Sequence, residues 1–303
     1  MKKLVLLDTH ALIHRAYHAL PKFTSKNTGE PTGALYGLSA MLIKAIRELE
    51  PNYFVAAFDL PEPTFRHKIY DAYKATRKEI DPDLIKQLIR AHDVIDAFGL
   101  TSYSAPEFEA DDVLGGIVEQ IKTLKNIKTT IVSGDMDILQ LVDEDRVVVY
   151  TMRKGLDDTV IYNEAKVMER FGFSPEQLTD YKGLRGDASD NIIGVPGIGE
   201  KTATDIIKKF NNLENLYEEI EKPSFAKVKE GKDALLKERI RLLLIEHKKN
   251  ALFSKKLATI RRDTPIKFAI PGADYKTDIK RVSDLFNELG FQSLITRLEG
   301  LGL

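Results

Sequence analysis

"KLVLLD" occupies Lys3 to Asp8: one lysine, four apolar residues, then an aspartate. Two later stretches repeat the plan. "YFVAAFD" runs from Tyr53 to Asp59, and "TTIVSGDMD" runs from Thr129 to Asp137, with Asp135 and Asp137 following a Ser-Gly step. Short continuous apolar runs read as buried parallel strands. Helical patterns lie between them, at Leu35–Leu49, Asp83–Phe98 and Asp112–Leu124. Alternating strand and helix predicts an α/β fold with a central, mostly parallel sheet and flanking helices. In open sheets of this kind ligands bind beyond the carboxyl ends of the strands. Asp8, Asp59, Asp135 and Asp137 are therefore expected along one edge.

"EFEADDVLGGI" adds acids to the same inventory. Glu109, Asp111 and Asp112 precede an apolar helical run, and Glu109 and Asp112, three apart, share a face. Acids at a helix N-terminus have an ordinary explanation in capping and the helix dipole. Their coincidence with three strand-end aspartates points instead to a carboxylate cluster. Beyond residue 163 the patterns turn helical: Asn163–Phe171, Pro175–Leu184, Lys201–Phe210, Asp233–His247 and Asp278–Leu289, with Pro265–Lys276 as a loop holding a short extended piece. No internal repeat or low-complexity linker interrupts the chain, so its halves are expected to pack as one unit.

The chain has 303 residues, 43% hydrophobic and 30% charged, enough for a sizeable core. No stretch approaches a membrane span. Asp8, His10, His14 and Arg15 interrupt any signal-peptide core at the N-terminus, which leaves the cytoplasm, near the nucleoid, as the expected address. The absence of cysteine excludes disulfides and thiolate zinc sites. The net charge of −1 conceals an asymmetry. Ser104–Asp145 holds ten acids against three lysines, whereas Lys222–Arg262 holds thirteen Lys and Arg against four acids. A basic segment of that size is either a solvated helix face or a footprint for a polyanion.

Gathered carboxylates repel one another and raise each other's pKa values unless cations neutralise them. Oxygen-only ligand sets suit Mg²⁺ or Mn²⁺, and two such ions about 4 Å apart are the arrangement that cleaves phosphodiesters. His10, His14 and His18 recur at four-residue spacing and suggest zinc, but an amphipathic stripe explains them better. "DAYKATRK" groups Tyr73, Lys74, Arg77 and Lys78, with Arg66 and Lys68 upstream. On a helix Lys74 and Arg77 would share a face toward phosphate, and Tyr73 would stack on a base.

"KGLRGDASDNIIGVPGIGEKTA", Lys182 to Ala203, combines two further acids, Asp187 and Asp190, with Gly194, Gly197 and Gly199. Glycines admit unusual φ values and close backbone approach. The helix that follows offers free N–H groups to phosphate, and Lys201 and Thr202 add contacts. The pattern is that of a helix-hairpin-helix, which grips duplex backbone without reading bases. The chain has no Gly-Lys-Ser or Gly-Lys-Thr, which rejects a Walker P-loop.

Together these stretches resemble the 5′-nuclease (5′→3′ exonuclease) domain of bacterial DNA polymerase I, within the flap endonuclease superfamily. The match also includes "LLDTHALIHRAYHAL", "GEPTGALYG" and "AAFDLPEPTFRHKIYDAYKATR", and it covers essentially the whole chain. The resemblance implies a metal-ligating set of Asp8, Asp59, Glu109, Asp111, Asp112, Asp135, Asp137, Asp187 and Asp190. It implies catalytic arch residues Tyr73, Lys74 and Arg77, and a helical arch over 70–98 that admits a single-stranded 5′ end. It places Thr32 and Gly33 at the duplex junction and implies potassium at a hairpin spanning Gly194–Lys209.

The expected organisation is an α/β nuclease core over 1–180, a helical DNA-binding region over 181–262, and a segment over 263–303 packing back on the core. The expected partners are DNA with 5′ flaps, nicks or 5′ ends, RNA primers, and a polymerase, fused or separate, with the nuclease itself a monomer. Two rival readings make different demands on the sequence. A catalytically silent junction binder of the same fold would show substituted carboxylates, and none is substituted. An α/β phosphatase suggested by "LLDTH" needs an aspartate where His10 stands.

Overall fold

Burial and capping decide where the elements begin. The computed structural model describes residues 1–155, 158–222 and 236–301. Within them the chain divides into two compact units: unit 1 comprises 1–64, 79–163 and 261–303, and unit 2 comprises 65–78 and 164–260.

Unit 1 is built on one sheet. Strands β1 (Lys2–Asp8), β2 (Tyr53–Ala57), β3 (Thr101–Tyr103), β4 (Ile127–Val132), β5 (Val147–Lys154) and β6 (Asp158–Tyr162) stand in the order β3-β2-β1-β4-β5-β6. All pairs are parallel except β5 with β6. The three strands read from the sequence are central. β3, β5 and β6 are additions that the sequence reading lacks, although the β-branched run Val147–Val149 carries the same signal.

Helices α1 (Thr9–Ala19), α2 (Gly33–Leu49), α4 (Pro82–Ala97) and α5 (Ala110–Ile121) flank the sheet, joined by α12 (Ile279–Leu289) and α13 (Gln292–Glu299). Their starts follow local chemistry. Asp8 caps α1 by accepting from Ala11 N, Asp81 caps α4 ahead of Pro82, and Asp278 caps α12 through the Lys280 and Arg281 amides. Leu7, Leu35, Leu38, Phe54, Phe98 and Phe286 meet in one buried core. The C-terminal helices thus complete the core of unit 1 rather than trail from it.

Unit 2 is helical. It contains α3 (Phe65–Ile69), α6 (Glu164–Phe171), α7 (Leu178–Arg185), α8 (Glu200–Phe210), α9 (Leu213–Ile220), α10 (Glu238–Glu246) and α11 (Lys248–Ala258). α7 packs along α11, and Lys255 of α11 bridges Asp180 of α7 at 2.6 Å and Glu214 of α9 at 2.8 Å. The helix expected over Asp233–His247 begins among residues outside those described and resolves as α10 from Glu238.

Candidate metal and nucleic-acid sites

The register of β1 with its neighbours sets Asp8 against Ala57 and Leu7 against Val132. The chain just past three strand ends therefore carries Asp8, Asp59 and Asp135 on one edge of unit 1. Asp8 is buried; its Oδ1 accepts from Ala11 N at 3.1 Å and its Oδ2 from Ser133 Oγ at 2.6 Å. Ser133 Oγ also accepts the Asp135 N–H at 2.9 Å. Asp59 Oδ1 accepts from Ala110 N at 2.6 Å, which ties the end of β2 to the first residue of α5.

The field is strongly negative. Burial raises the Asp8 carboxyl to about 7 against the hydrogen bonds from Ser133 and Ala11, with Asp59 and Asp135 adding to the rise. Burial likewise raises Asp111 well above its ordinary value, followed by the charges of Asp8, Asp135, Glu109 and Asp59. Five expected ligands, Asp8, Asp59, Glu109, Asp111 and Asp135, thus share one electrostatic neighbourhood. Among the described residues no three acids or histidines are drawn into a closed metal-binding group. The donor set is all oxygen, and Asp111 is partly buried with no hydrogen-bond donor reaching it among the described residues. That environment fits a hard divalent cation, which would stabilise the charged carboxylates.

Asp112 and Asp137 have local roles of their own. Asp112 is fully buried; its Oδ2 accepts from Glu109 N at 3.1 Å in a capping box, and its Oδ1 from Arg261 N at 2.8 Å. It braces the α5 N-terminus instead of offering an open carboxylate. Asp137 opens a 3-10 turn, its N–H donating to Asp135 Oδ1 at 2.9 Å.

Unit 2 carries the other two acids. Gly186, at φ 74, ends α7, and Asp187 and Ile192 exchange backbone hydrogen bonds of 2.7 Å, forming a small closed loop. Burial pushes the Asp187 carboxyl up, but Lys182 at 2.5 Å and the Ser189 amide and hydroxyl hold it down at about 2. Asp190 accepts from Arg77 Nη2 at 2.5 Å and from Tyr73 OH at 3.0 Å, and its carbonyl accepts the Lys74 N–H at 3.0 Å.

No helix spans Tyr73–Arg77. Residues 71–76 form successive turns, and Lys74 takes the left-handed φ of 56. Tyr73 is buried, so it holds Asp190 rather than presenting a ring to a base. Arg66, expected at DNA, is 3% exposed and donates to Leu257 O at 2.8 Å and Thr259 O at 2.9 Å, satisfying carbonyls at the end of α11. Thr32 and Gly33 are buried too, and a side chain at Gly33 would meet Pro21 O at 2.7 Å, so any contact they make with phosphate is not through an exposed side chain.

The hairpin connects α7 and α8 as expected. Gly194 (φ 67) is buried and donates to Ser254 Oγ at 3.0 Å. Gly197 (φ 87) and Gly199 are exposed, no atom lies within 4 Å of a side chain built at Gly199, and Lys201 stands in the open first turn of α8. The basic segment is less available than its charge suggests: Lys222, Arg241, Lys248 and Lys255 make ion pairs with Glu219, Glu238, Glu221 and Glu214.

Two family models match in tandem: the "5'-3' exonuclease, N-terminal resolvase-like domain" over residues 3–172 and the "5'-3' exonuclease, C-terminal SAM fold" over 173–280. The chain belongs to the 5′-3′ exonuclease family. The chain is 38% identical to DNA polymerase I of Bacillus subtilis (strain 168) over 298 residues, 98% of this chain and 32% of that protein. It is 39% identical to DNA polymerase I of Chloroflexus aurantiacus over 292 residues, 95% of this chain and 29% of that protein. The chain therefore spans about a third of the curated relatives it matches.

Among solved structures, the T5 D15 protein co-crystallised with metal ions superposes with a TM-score of 0.65 at 18% identity, covering 99% of this chain and 98% of that one. Human GEN1 in complex with Holliday junction DNA superposes at 0.62 and 12% identity, covering 98% of this chain and 71% of that one. These two share the fold with this chain. No helix among the described residues is long and apolar enough to cross a membrane.

Ser133 and Lys182, each of which holds a candidate ligand, have no role in the sequence reading, and His10, there explained as part of an amphipathic stripe, also holds one. Ser133 carried a local signal as the first residue of Ser-Gly-Asp, and His10 one in the four-residue histidine spacing.

Proposed function

We propose that this member of the 5′-3′ exonuclease family is a divalent-metal-dependent, structure-specific 5′-nuclease that cleaves DNA, and RNA primers, near single-strand/double-strand junctions and leaves a 5′-phosphate. The observation that carries the reading is the set of five carboxylates beyond β1, β2 and β4 and at the start of α5, in which burial first, and the neighbouring acids second, raise Asp8 and Asp111. Mg²⁺ or Mn²⁺, when bound, supplies a water of lowered pKa and charge neutralisation at phosphate.

Asp8, Asp59, Glu109, Asp111 and Asp135 would hold the cations, with Asp137, Asp187 and Asp190 as further ligands and Asp112 supporting Glu109. Lys74 and Arg77 would offset charge on the phosphate in the transition state, Arg77 exchanging Asp190 for substrate. Gly194, Gly197, Gly199, Lys201 and Thr202 would grip the downstream duplex, with K⁺ at the hairpin carbonyls, and Thr32 and Gly33 would border the junction. The nuclease would work as a monomer in the cytoplasm, at the nucleoid, with the segments 1–180, 181–262 and 263–303 acting as one domain beside or within a polymerase.

The test is a labelled 5′-flap duplex in Mg²⁺. Cutting near the junction, abolished by EDTA, is expected. Cleavage that persists in EDTA sinks the metal reading, and binding without cleavage in Mg²⁺ or Mn²⁺ leaves the silent junction binder instead.

A further inference from the structure

The histidine stripe of α1 finds a role at its first member. β2 ends at Ala57, and Phe58 makes the last sheet-like bond, its N–H donating to Tyr103 O at 2.9 Å. The next amide, that of Asp59, has left the ladder and needs another acceptor. His10 Nδ1 lies 3.1 Å from Asp59 N and accepts it. The imidazole is mostly buried, its side chain 19% exposed. It lies edge-on to Phe58, ring centroids 5.8 Å apart, and His92 stacks on the same Phe58, ring centroids 3.8 Å apart. A ring packed in this way has little freedom to turn its acceptor elsewhere.

We infer that His10 is a positioning residue for Asp59: its unprotonated Nδ1 fixes the Asp59 main chain, and so aims the carboxylate at the site it shares with Asp8 and Asp111. An Nδ1 that accepts an N–H carries no proton, so the neutral ring is the tautomer protonated at Nε2. The Asp59 carboxylate is then held from both ends, its amide by His10 and its Oδ1 by Ala110 N at 2.6 Å. His10 follows β1, Asp59 follows β2 and Ala110 opens α5, so this chain of two bonds fixes three ligand-bearing segments to one another. A residue that orients a ligand without touching the metal typically changes metal affinity by about 10- to 100-fold when removed. The inference rests on the metal reading of Asp59.

The experiment compares His10→Phe, which keeps the aromatic wedge without the acceptor, with His10→Asn, whose Oδ1 sits where Nδ1 was. Mn²⁺ binding is followed by calorimetry on the full chain without DNA, and flap-DNA affinity is measured in EDTA. His10→Phe is expected to weaken Mn²⁺ binding about 10-fold or more while DNA affinity in EDTA stays at the wild-type value, and His10→Asn is expected to recover most of the loss. Wild-type Mn²⁺ affinity in His10→Phe, or no recovery in His10→Asn, overturns the inference. Nitrogen-15 spectra of the wild-type histidines at pH 8 in EDTA provide a reading that needs no variant to fold. An unprotonated Nδ1 on His10 supports the hydrogen bond, and a protonated Nδ1 overturns it. If wild-type protein binds no Mn²⁺ at all, the metal reading fails, while the tautomer still decides the role of His10.

Discussion

Ser133 Oγ donates to Asp8 Oδ2 at 2.6 Å and accepts the Asp135 N–H at 2.9 Å, so one buried hydroxyl joins the ends of β1 and β4. Ser133→Ala would leave a buried carboxylate short of a donor and an amide short of an acceptor. A loss of about 1–3 kcal/mol in urea unfolding is expected, because unsatisfied buried groups cost their full desolvation. Ser133→Thr keeps the hydroxyl and should remain close to wild type. An unchanged midpoint for Ser133→Ala would show that the hydroxyl is dispensable.

The acid edge should make stability depend on pH and on metal in opposite senses. Asp8 is raised from 3.8 to about 7, and Asp111 is raised as well. A folded-state pKa above the unfolded one means that the folded chain binds more protons between the two values. Stability in EDTA should then fall as pH rises from about 4 to 7, by on the order of a few kcal/mol. Asp111→Asn, neutral throughout, should flatten that fall and be more stable than wild type at pH 8 in EDTA. Adding Mg²⁺ should stabilise wild type at pH 8 and affect Asp111→Asn much less. Parallel melting curves for the two proteins in EDTA across this range would contradict the raised carboxylates.

Arg66 tests burial against charge. Its guanidinium donates to Leu257 O and Thr259 O, 191 and 193 residues away in sequence. Arg66→Ala is expected to destabilise unit 2 by roughly 2–5 kcal/mol, since removing a buried, hydrogen-bonded cation strips carbonyls of their donors and leaves a cavity. Arg66→Lys should restore little, because an ammonium lacks the fork that reaches both carbonyls. If Arg66→Ala weakens DNA binding with an unchanged melting temperature, Arg66 is a surface contact after all.

The glycines of the hairpin region should separate into structural and functional classes. A side chain at Gly186, at φ 74, would meet Ile192 O at 2.5 Å, so Gly186→Ala should cost about 1–3 kcal/mol or more of stability. A side chain at Gly199 meets nothing within 4 Å, and its φ of −91 suits any residue. Gly199→Ala should therefore fold normally, yet weaken duplex binding in a filter or anisotropy assay if this backbone approaches phosphate. Normal duplex binding by Gly199→Ala would remove this glycine from the contact surface.

The legible features are local ones. Apolar runs ending on aspartate at Asp8 and Asp59 marked the strands, because period and burial leave a direct trace in composition. Helices α2, α4, α8 and α12 were legible from periodicity and caps, to within a few residues. "GVPGIG" announced a turn because Gly194 and Gly197 take φ values that other residues resist. The helix expected over Tyr73–Arg77 failed because helix propensity was outweighed by distant partners: Tyr73 and Arg77 reach Asp190, 117 and 113 residues on.

By itself, then, the sequence determined the α/β class, the carboxylates at the strand ends and the hairpin, each a property of neighbours along the chain. Only the tertiary structure decided what each polar side chain does. Asp112 became a brace because Arg261, 149 residues away, supplies its second amide. Arg66 became a helix cap, Ser133 a bridge, and Asp8 an acid at about 7, because burial and the charges beside it arise from folding. Desolvation and hydrogen-bond partnership depend on what lies within a few ångströms in space, and no linear pattern records that.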